Sequence, residues 1–256
     1  MSFAPQRRLQ VVRETFPDRP GFGTAVSRAV LLRVAAGELP PTVRLHQPGR
    51  ILAFGRMDVA AAGFGDAVRA ARAAGFDPVV RIAGGRAAVY HEGTIALSLA
   101  TPDPRPAART HARFEELAEL IAAALRELGV DARVGEVPGE YCPGEWSVNA
   151  RGRTKLVGIG QRIVSGGAHL GVVIVVRDSA LVRDVLIPVY EALGLEWDPA
   201  TAGSVEDELG GANLDAVGDA VLRGMVAAGH ELVETELDRD TLALAERLLP
   251  DHRPAP

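Results

Sequence analysis

The chain has 256 residues, 47% hydrophobic, 24% charged and 5% aromatic, with a formal net charge of −5. That length buries about three-quarters of the unfolded surface, so a core needs no disulfide or metal, and the apolar fraction excludes disorder. A negative balance offers nothing to a polyanion, one cysteine excludes an internal disulfide and a thiolate metal cage, and the longest apolar stretch, Gly167 to Val176, is about half of the ~20 residues a membrane span needs.

Met1 to Phe16 is charged and lacks an apolar signal core, which points to a cytoplasmic protein. The first helical pattern runs from Thr24 to Glu38, with Val26, Val30, Leu31 and Val34 on one stripe. Pro40-Pro41 ends it. Val43 to His46 alternates as a strand and Ile51 to Phe54 reads as a more buried one. Met57 to Ala74 is a weaker helix, interrupted by Gly63 and Gly65 and closed by Gly75. Short strands are expected at Val79 to Ile82, Ala87 to Tyr90 and Ile95 to Leu99, with turns at Gly84-Gly85 and Glu92-Gly93. Thr101 to Arg109, with three prolines, reads as an exposed connection.

The strongest helix spans His111 to Leu128, where Phe114, Leu117, Leu120, Ile121, Leu125 and Leu128 recur every three or four residues. Trp146 to Ala150, Lys155 to Val164 and His169 to Val176 are strands, the last two joined as a hairpin through Ser165-Gly166-Gly167. Leu181 to Leu193, Ala212 to Ala228 and Thr241 to Leu249 are helical. Mixed elements with hairpins favour an α+β fold of mainly antiparallel sheets packed with helices. One catalytic domain over 1–256 is expected, with 200–256 a helical C-terminal extension.

Three stretches carry chemistry. In Arg81-Ile82-Ala83-Gly84-Gly85-Arg86, paired glycines let backbone approach a ligand and two arginines add charge, although a glycine pair by itself mostly marks a plain turn. His91 follows nearby, and it is the one histidine next to a glycine-rich loop. Around Glu140-Tyr141-Cys142-Pro143-Gly144, the lone cysteine sits in a segment unfit for a helix interior or a central strand, and loops of that kind often carry function. In Thr154-Lys155-Leu156-Val157-Gly158-Ile159-Gly160-Gln161, the two glycines share one strand face and leave a groove free of side chains. Lys155 has the opposite parity. Thirteen residues separate Cys142 from Lys155, and a hairpin between them would set an ammonium beside the thiol.

Together these segments resemble the biotin/lipoate protein ligase superfamily, and within it the lipoyl/octanoyl transferases. Lipoate ligases carry R-R-x-S-G-G-G-A-V-Y-H-D, which Arg81, Gly84-Gly85 and Val89-Tyr90-His91-Glu92 match with one additional residue. The cysteine-dependent octanoyl amidotransferase branch is similar without a gap: its G-G-L-A-V-V-L-D-E-G corresponds to Gly84 to Gly93. Its Y-C-P-G corresponds to Tyr141 to Gly144, and its G-K-K-x-A-G-I-S-Q-R-R to Gly152 to Arg162. Ala83 departs from a common Ser or Thr, Thr154 from a lysine and Ile163 from an arginine.

The resemblance implies a biotin/lipoate protein ligase catalytic-domain fold and an acyltransferase that moves an octanoyl or lipoyl group through a Cys142 thioester to a lysine. Cys142 and Lys155 are the implied catalytic pair. Arg81, Gly84, Gly85, Arg86, His91, Gly158 and Gly160 are the implied substrate-binding residues. No metal and no cofactor are expected. The implied partners are an octanoyl- or lipoyl-carrying donor (the glycine-cleavage H protein or an acyl carrier protein) and lipoyl domains of 2-oxoacid dehydrogenases, with no nucleic acid and no membrane. One alternative is an ATP-dependent lipoate ligase, which would need ATP and magnesium. Another is a non-catalytic acyl- or biotin-like binding module of the same fold.

Overall fold

A computed structural model describes residues 8–254. The ends of the expected 1–256 domain, including the first seven residues of the charged Met1–Phe16 stretch, lie outside the described residues. The chain begins with β1 (Arg8–Val12), α1 (Phe22–Ala35) and β2 (Thr42–His46). β3 (Ile51–Phe54), α2 (Arg56–Val59), α3 (Phe64–Ala73), β4 (Asp77–Val80) and β5 (Ala88–Tyr90) form a second unit. Next come β6 (Thr94–Pro102), α4 (Thr110–Glu127), β7 (Ala132–Val134), β8 (Val148–Ala150), β9 (Thr154–Val164) and β10 (Gly167–Val175). The chain closes with α5 (Ser179–Ala192), α6 (Val205–Leu209), α7 (Leu214–Ala227), β11 (Glu231–Glu234) and α8 (Arg239–Leu248).

Eight strands form the main sheet in the order β11-β1-β2-β6-β10-β9-β8-β7, and β4-β3-β5 form the smaller one. Parallel pairing is confined to β11–β1, β1–β2 and β3–β4; all other pairs are antiparallel. This is the expected α+β class. The short strands β1, β7 and β11 have no counterpart in the sequence pattern, because three to five residues carry too little periodicity. The segment from residue 200 onward, expected as helical, also supplies β11 to the edge of the main sheet. The expected Met57–Ala74 helix is two helices, parted around Gly63.

Alternation along β6 and β10 sorts the main sheet into two faces. Leu97, Leu99, Leu170 and Val172 pack against Leu117, Ile121 and Leu125 of α4 and Val217 and Val221 of α7. The intervening residues point the other way, where Ala100 meets Phe22, Val26 and Val30 of α1 and Val175 meets the core of the smaller sheet. That core joins Leu52, Phe54 and Val89 to Ala67 and Val68 of α3 and to Val185, Leu186 and Val189 of α5. The space between the two sheets is therefore walled by β9 and β10 on one side and by the β4–β5 connection on the other. No described helix is long and apolar enough to cross a membrane.

Strand β9 departs from strict alternation. Val157 faces Val148, whereas Lys155 faces Asn149, so two steps on β9 oppose one on β8. An extra residue of this kind rotates the strand locally. It carries Lys155, expected opposite the strand glycines, to their side: a Cβ on Gly158 would lie 3.5 Å from Lys155 Cε.

The smaller unit is held to α5 at close range, because a Cβ on Gly63 would stand 1.8 Å from Ala192 O at the end of that helix. Backbone cannot yield as a flexible side chain can. Gly63→Ala is expected to cost about 1–3 kcal/mol by overpacking, measured by urea denaturation; an unchanged midpoint with unchanged slope would contradict this packing.

Candidate functional site

Residues Val137 to Ser147 form a loop that hangs on one buried carboxylate. Glu140 is 3% exposed. Its Oε2 accepts from Val137 N at 3.1 Å, and its Oε1 accepts from Gly144 N at 3.1 Å and Ser147 Oγ at 2.6 Å. Lys155 Nζ completes the set at 3.0 Å. A buried ion pair is tolerated when further hydrogen bonds satisfy both partners, and that condition is met here. The same ammonium also donates to Tyr141 O at 3.0 Å and Cys142 O at 2.7 Å, so its three protons all go to protein oxygens.

Cys142 sits at the tip of this loop with φ 45°, one of three non-glycine residues in left-handed backbone among those described. Such a conformation costs about 1–3 kcal/mol and persists only where the surroundings enforce it. Here its carbonyl is taken by Lys155, and its N–H donates to Tyr190 Oη at 2.9 Å.

The thiol faces the connection between β4 and β5. Arg81 Nη2 lies 3.5 Å from Sγ and Arg86 N donates to it at 3.1 Å. Gly85, at φ +98°, makes the approach possible, since a Cβ there would be 2.2 Å from Arg81 Nη2 and 2.9 Å from Sγ. Burial pushes the thiol up, but the charges of Arg81 and then Lys155, with the Arg86 N–H, act the other way and prevail. The thiol therefore sits below its ordinary value.

The glycine turn is itself braced. A Cβ on Gly55 would fall 1.8 Å from Gly85 O. Gly55 N donates to Asp58 Oδ2 at 2.9 Å, while Arg86 Nη1 pairs with Asp58 Oδ1 at 3.3 Å. Gly84 N reaches Gln161 O on β9 at 3.3 Å, and Gly160 admits Ala83, whose Cβ would be 3.0 Å from a Cβ at that position.

Between these walls lies a cleft of about 360 Å³, lined by Arg81, Gly84, Gly85, Ala88, Tyr90, Phe114, Cys142, Lys155, Gly158, Ile159, Gly160, Gly171 and Val173 among others. That volume falls within the ~300–1,000 Å³ range of small-molecule sites, and its walls are mostly apolar. Cys142 stands where the apolar cleft meets Arg81.

Of the residues singled out in the sequence, Cys142, Lys155, Arg81, Gly84, Gly85, Gly158 and Gly160 converge on this cleft. Arg86 reaches the thiol by its backbone and turns its side chain to Asp58. His91 does not join them. It is buried in the turn before β6, with Nδ1 accepting from Gly93 N at 3.0 Å. The ammonium expected beside the thiol lies instead on the carbonyl of the same residue, and Arg81 takes the place at the sulfur. Sequence reasoning passes over Asp58, Glu140 and Tyr190. Only Glu140 has a signal, its place next to Tyr141-Cys142. Among the described residues, no three or more His, Cys, Asp or Glu side chains gather as a metal site requires.

The family model described as the lipoyl protein ligase A/B catalytic domain matches residues 19–225. An octanoyl-[GcvH]:protein N-octanoyltransferase of Geobacillus kaustophilus is 28% identical over 225 residues, which cover 84% of this chain and 79% of that protein. Among solved structures, a lipoate-protein ligase A bound with ATP superposes with a TM-score of 0.76 at 18% identity, covering 95% of this chain and 94% of that one. The bipartite lipoate protein ligase of Thermoplasma acidophilum, studied with its E2 lipoyl domain, gives 0.74 at 19% identity, covering 95% and 91%. At these identities the structures show a shared fold.

Alkylation by iodoacetamide follows the thiolate, so its rate in the wild type should rise to a plateau with a midpoint below that of an ordinary thiol. In Arg81→Gln the upward push of burial remains while the chief opposing charge is gone. The midpoint is expected to move to higher pH, and the rate at neutral pH to fall as the thiolate fraction shrinks. Superimposable profiles would contradict the assigned electrostatics.

Proposed function

We propose that this chain, which belongs to the lipoyl protein ligase A/B catalytic-domain family, is an acyltransferase that moves an octanoyl group through a Cys142 thioester to a lysine of a lipoyl domain. The observation that carries the reading is the thiol at the cleft, 3.1 Å from Arg86 N and 3.5 Å from Arg81 Nη2. The name of the Geobacillus relative supports an octanoyl-carrying glycine-cleavage H protein as donor. The Thermoplasma ligase and its E2 lipoyl domain support a lipoyl domain as acceptor.

Burying an eight-carbon chain at about 0.8 kcal/mol per CH₂ yields several kcal/mol, enough to present its carbonyl to the thiolate. The sulfur attacks that carbonyl, and charge passes from sulfur to the acyl oxygen. Arg86 N–H and Arg81, already aimed at the sulfur, are the donors nearest that oxygen. Collapse breaks the amide C–N bond to the donor lysine, and the proton shed by the thiol balances the one the leaving amine gains. The acceptor amine then attacks the thioester, the C–S bond breaks, and the thiolate returns as the new amide nitrogen loses its proton. Because the thioester keeps the acyl group activated, this reaction consumes no ATP.

In this reading Lys155 holds the Cys142 loop and adds its field to the thiol, rather than touching substrate. The ligase alternative is less favoured. It would set Lys155 against an adenylate phosphate, and a lysine whose protons are committed to Glu140 and two carbonyls has none to give. A lone reactive thiol suits a reducing, cytoplasmic compartment.

With an octanoyl-bearing H protein and no nucleotide, wild type should gain the mass of one octanoyl group and pass it to a lipoyl domain, while Cys142→Ala should do neither. Full transfer by Cys142→Ala, or an absolute requirement for ATP and magnesium, would overturn the mechanism.

A further inference from the structure

From about Ser179 onward the sequence offers no recognisable motif, yet within the family match, which runs to residue 225, one side chain from α5 enters the site. Tyr190 is 2% exposed. Its hydroxyl accepts from Cys142 N at 2.9 Å and donates to Ala87 O at 3.1 Å. Ala87 directly follows Arg86, whose N–H touches the thiol at 3.1 Å. One phenol therefore ties the cysteine loop to the glycine turn within a residue of the contact on which the sulfur depends.

We propose that Tyr190 is a positioning residue: its hydroxyl straps the Cys142 loop to the Gly84–Ala87 turn, enforces the left-handed backbone of Cys142, and so sets the contact between Arg86 N–H and the sulfur. The proposal rests on the acyl-transfer reading in taking Cys142 as the working nucleophile. The other hydrogen bonds between turn and loop that the structure shows are those of Arg81 and Arg86 N to the sulfur itself, the contacts the strap sets. The Glu140–Lys155 pair fastens the cysteine loop to β9, and Asp58 fastens the glycine turn to α2. Tyr190 joins loop to turn.

The surroundings suit a fixed strap. The Tyr190 ring lies 5.6 Å from that of Trp197, tilted by 51°, and Trp197 meets Tyr141 edge-on at 5.7 Å. Aromatic contacts at these separations hold the ring as well as fill space. Burial, and next the nearby Cys142 charge, push the phenol well above its ordinary value, so it keeps the proton that Ala87 O accepts. The ionisable groups around the sulfur are Arg81, Tyr90, Glu140, Tyr141 and Lys155, with Asp58 behind Tyr190; none is altered by Tyr190→Phe.

Tyr190→Phe keeps the ring and removes both hydrogen bonds. Its iodoacetamide midpoint is expected about one pH unit above the wild type, the size of one hydrogen bond to a charged group. Octanoyl transfer should lose about tenfold in kcat, with KM for the donor within about twofold. Trp197→Phe weakens the packing but leaves the hydroxyl, so it should lower thermal stability without moving the midpoint. A Tyr190→Phe midpoint equal to the wild type would overturn the proposal.

A second measurement covers the case in which Tyr190→Phe does not fold. Cys142 is the single cysteine, so ¹⁵N-cysteine labelling gives one backbone amide signal. In the wild type that amide should exchange slowly with solvent, and exchange at the rate of an unstructured peptide would equally overturn the strap. Neither readout needs an acyl donor. A strap that passes both in a protein that transfers no octanoyl group leaves the proposal standing and sinks the transferase reading instead.

Discussion

A thiol withdrawn from water resists ionisation unless positive charge and a hydrogen-bond donor are brought to it, and the rest of this structure serves that requirement. Arg81 and Arg86 N–H meet the sulfur of Cys142 from one loop, and the cysteine reaches them from another. The two loops belong to different sheets, so the contact depends on how closely those sheets stack. Glycines set that limit. Gly55 against Gly85 O, Gly160 against Ala83 and Gly84 O, and Gly85 against Arg81 and the sulfur leave no room for a β-carbon that does not displace its neighbour.

The buried Glu140–Lys155 pair gives the second half of the account. A carboxylate that accepts four hydrogen bonds and an ammonium that donates three form a closed set, and the ammonium takes up the carbonyls of both Tyr141 and Cys142. Such a pair shapes backbone. It leaves Arg81 as the cation at the sulfur, while Lys155 acts at longer range. The glycine turn thereby supplies the larger part of the thiol's acidity, while β9 fixes the loop's geometry and adds a smaller part.

Much of this is legible in the sequence. The α+β class, the long α4 and the β9–β10 hairpin follow from periodicity and punctuation, and the gathering of Cys142 and the Gly84-Gly85 turn into one site from what the family resemblance implies. What escapes has physical causes. Strict alternation puts Lys155 on the face opposite Gly158 and Gly160, and an extra residue in β9 turns it back. His91 stands in a matching motif but spends its Nδ1 on Gly93 N, a local turn that spacing cannot distinguish from a ligand contact. Tyr190 lies 48 residues from Cys142, on a helix whose pattern marks it only as core. Asp58 serves as cap and counter-ion at once, and neither role leaves a spacing to read.

The central claim is that the folded protein, with nothing bound, already holds Cys142 as a thiolate-forming group. The ultraviolet absorbance of the thiolate, titrated against pH and corrected with Cys142→Ser, tests it most directly because no other cysteine contributes. The account predicts a single one-thiol step with its midpoint below that of a free cysteine. A step at or above that value would mean that burial outweighs Arg81 and Arg86 N–H, and would contradict it.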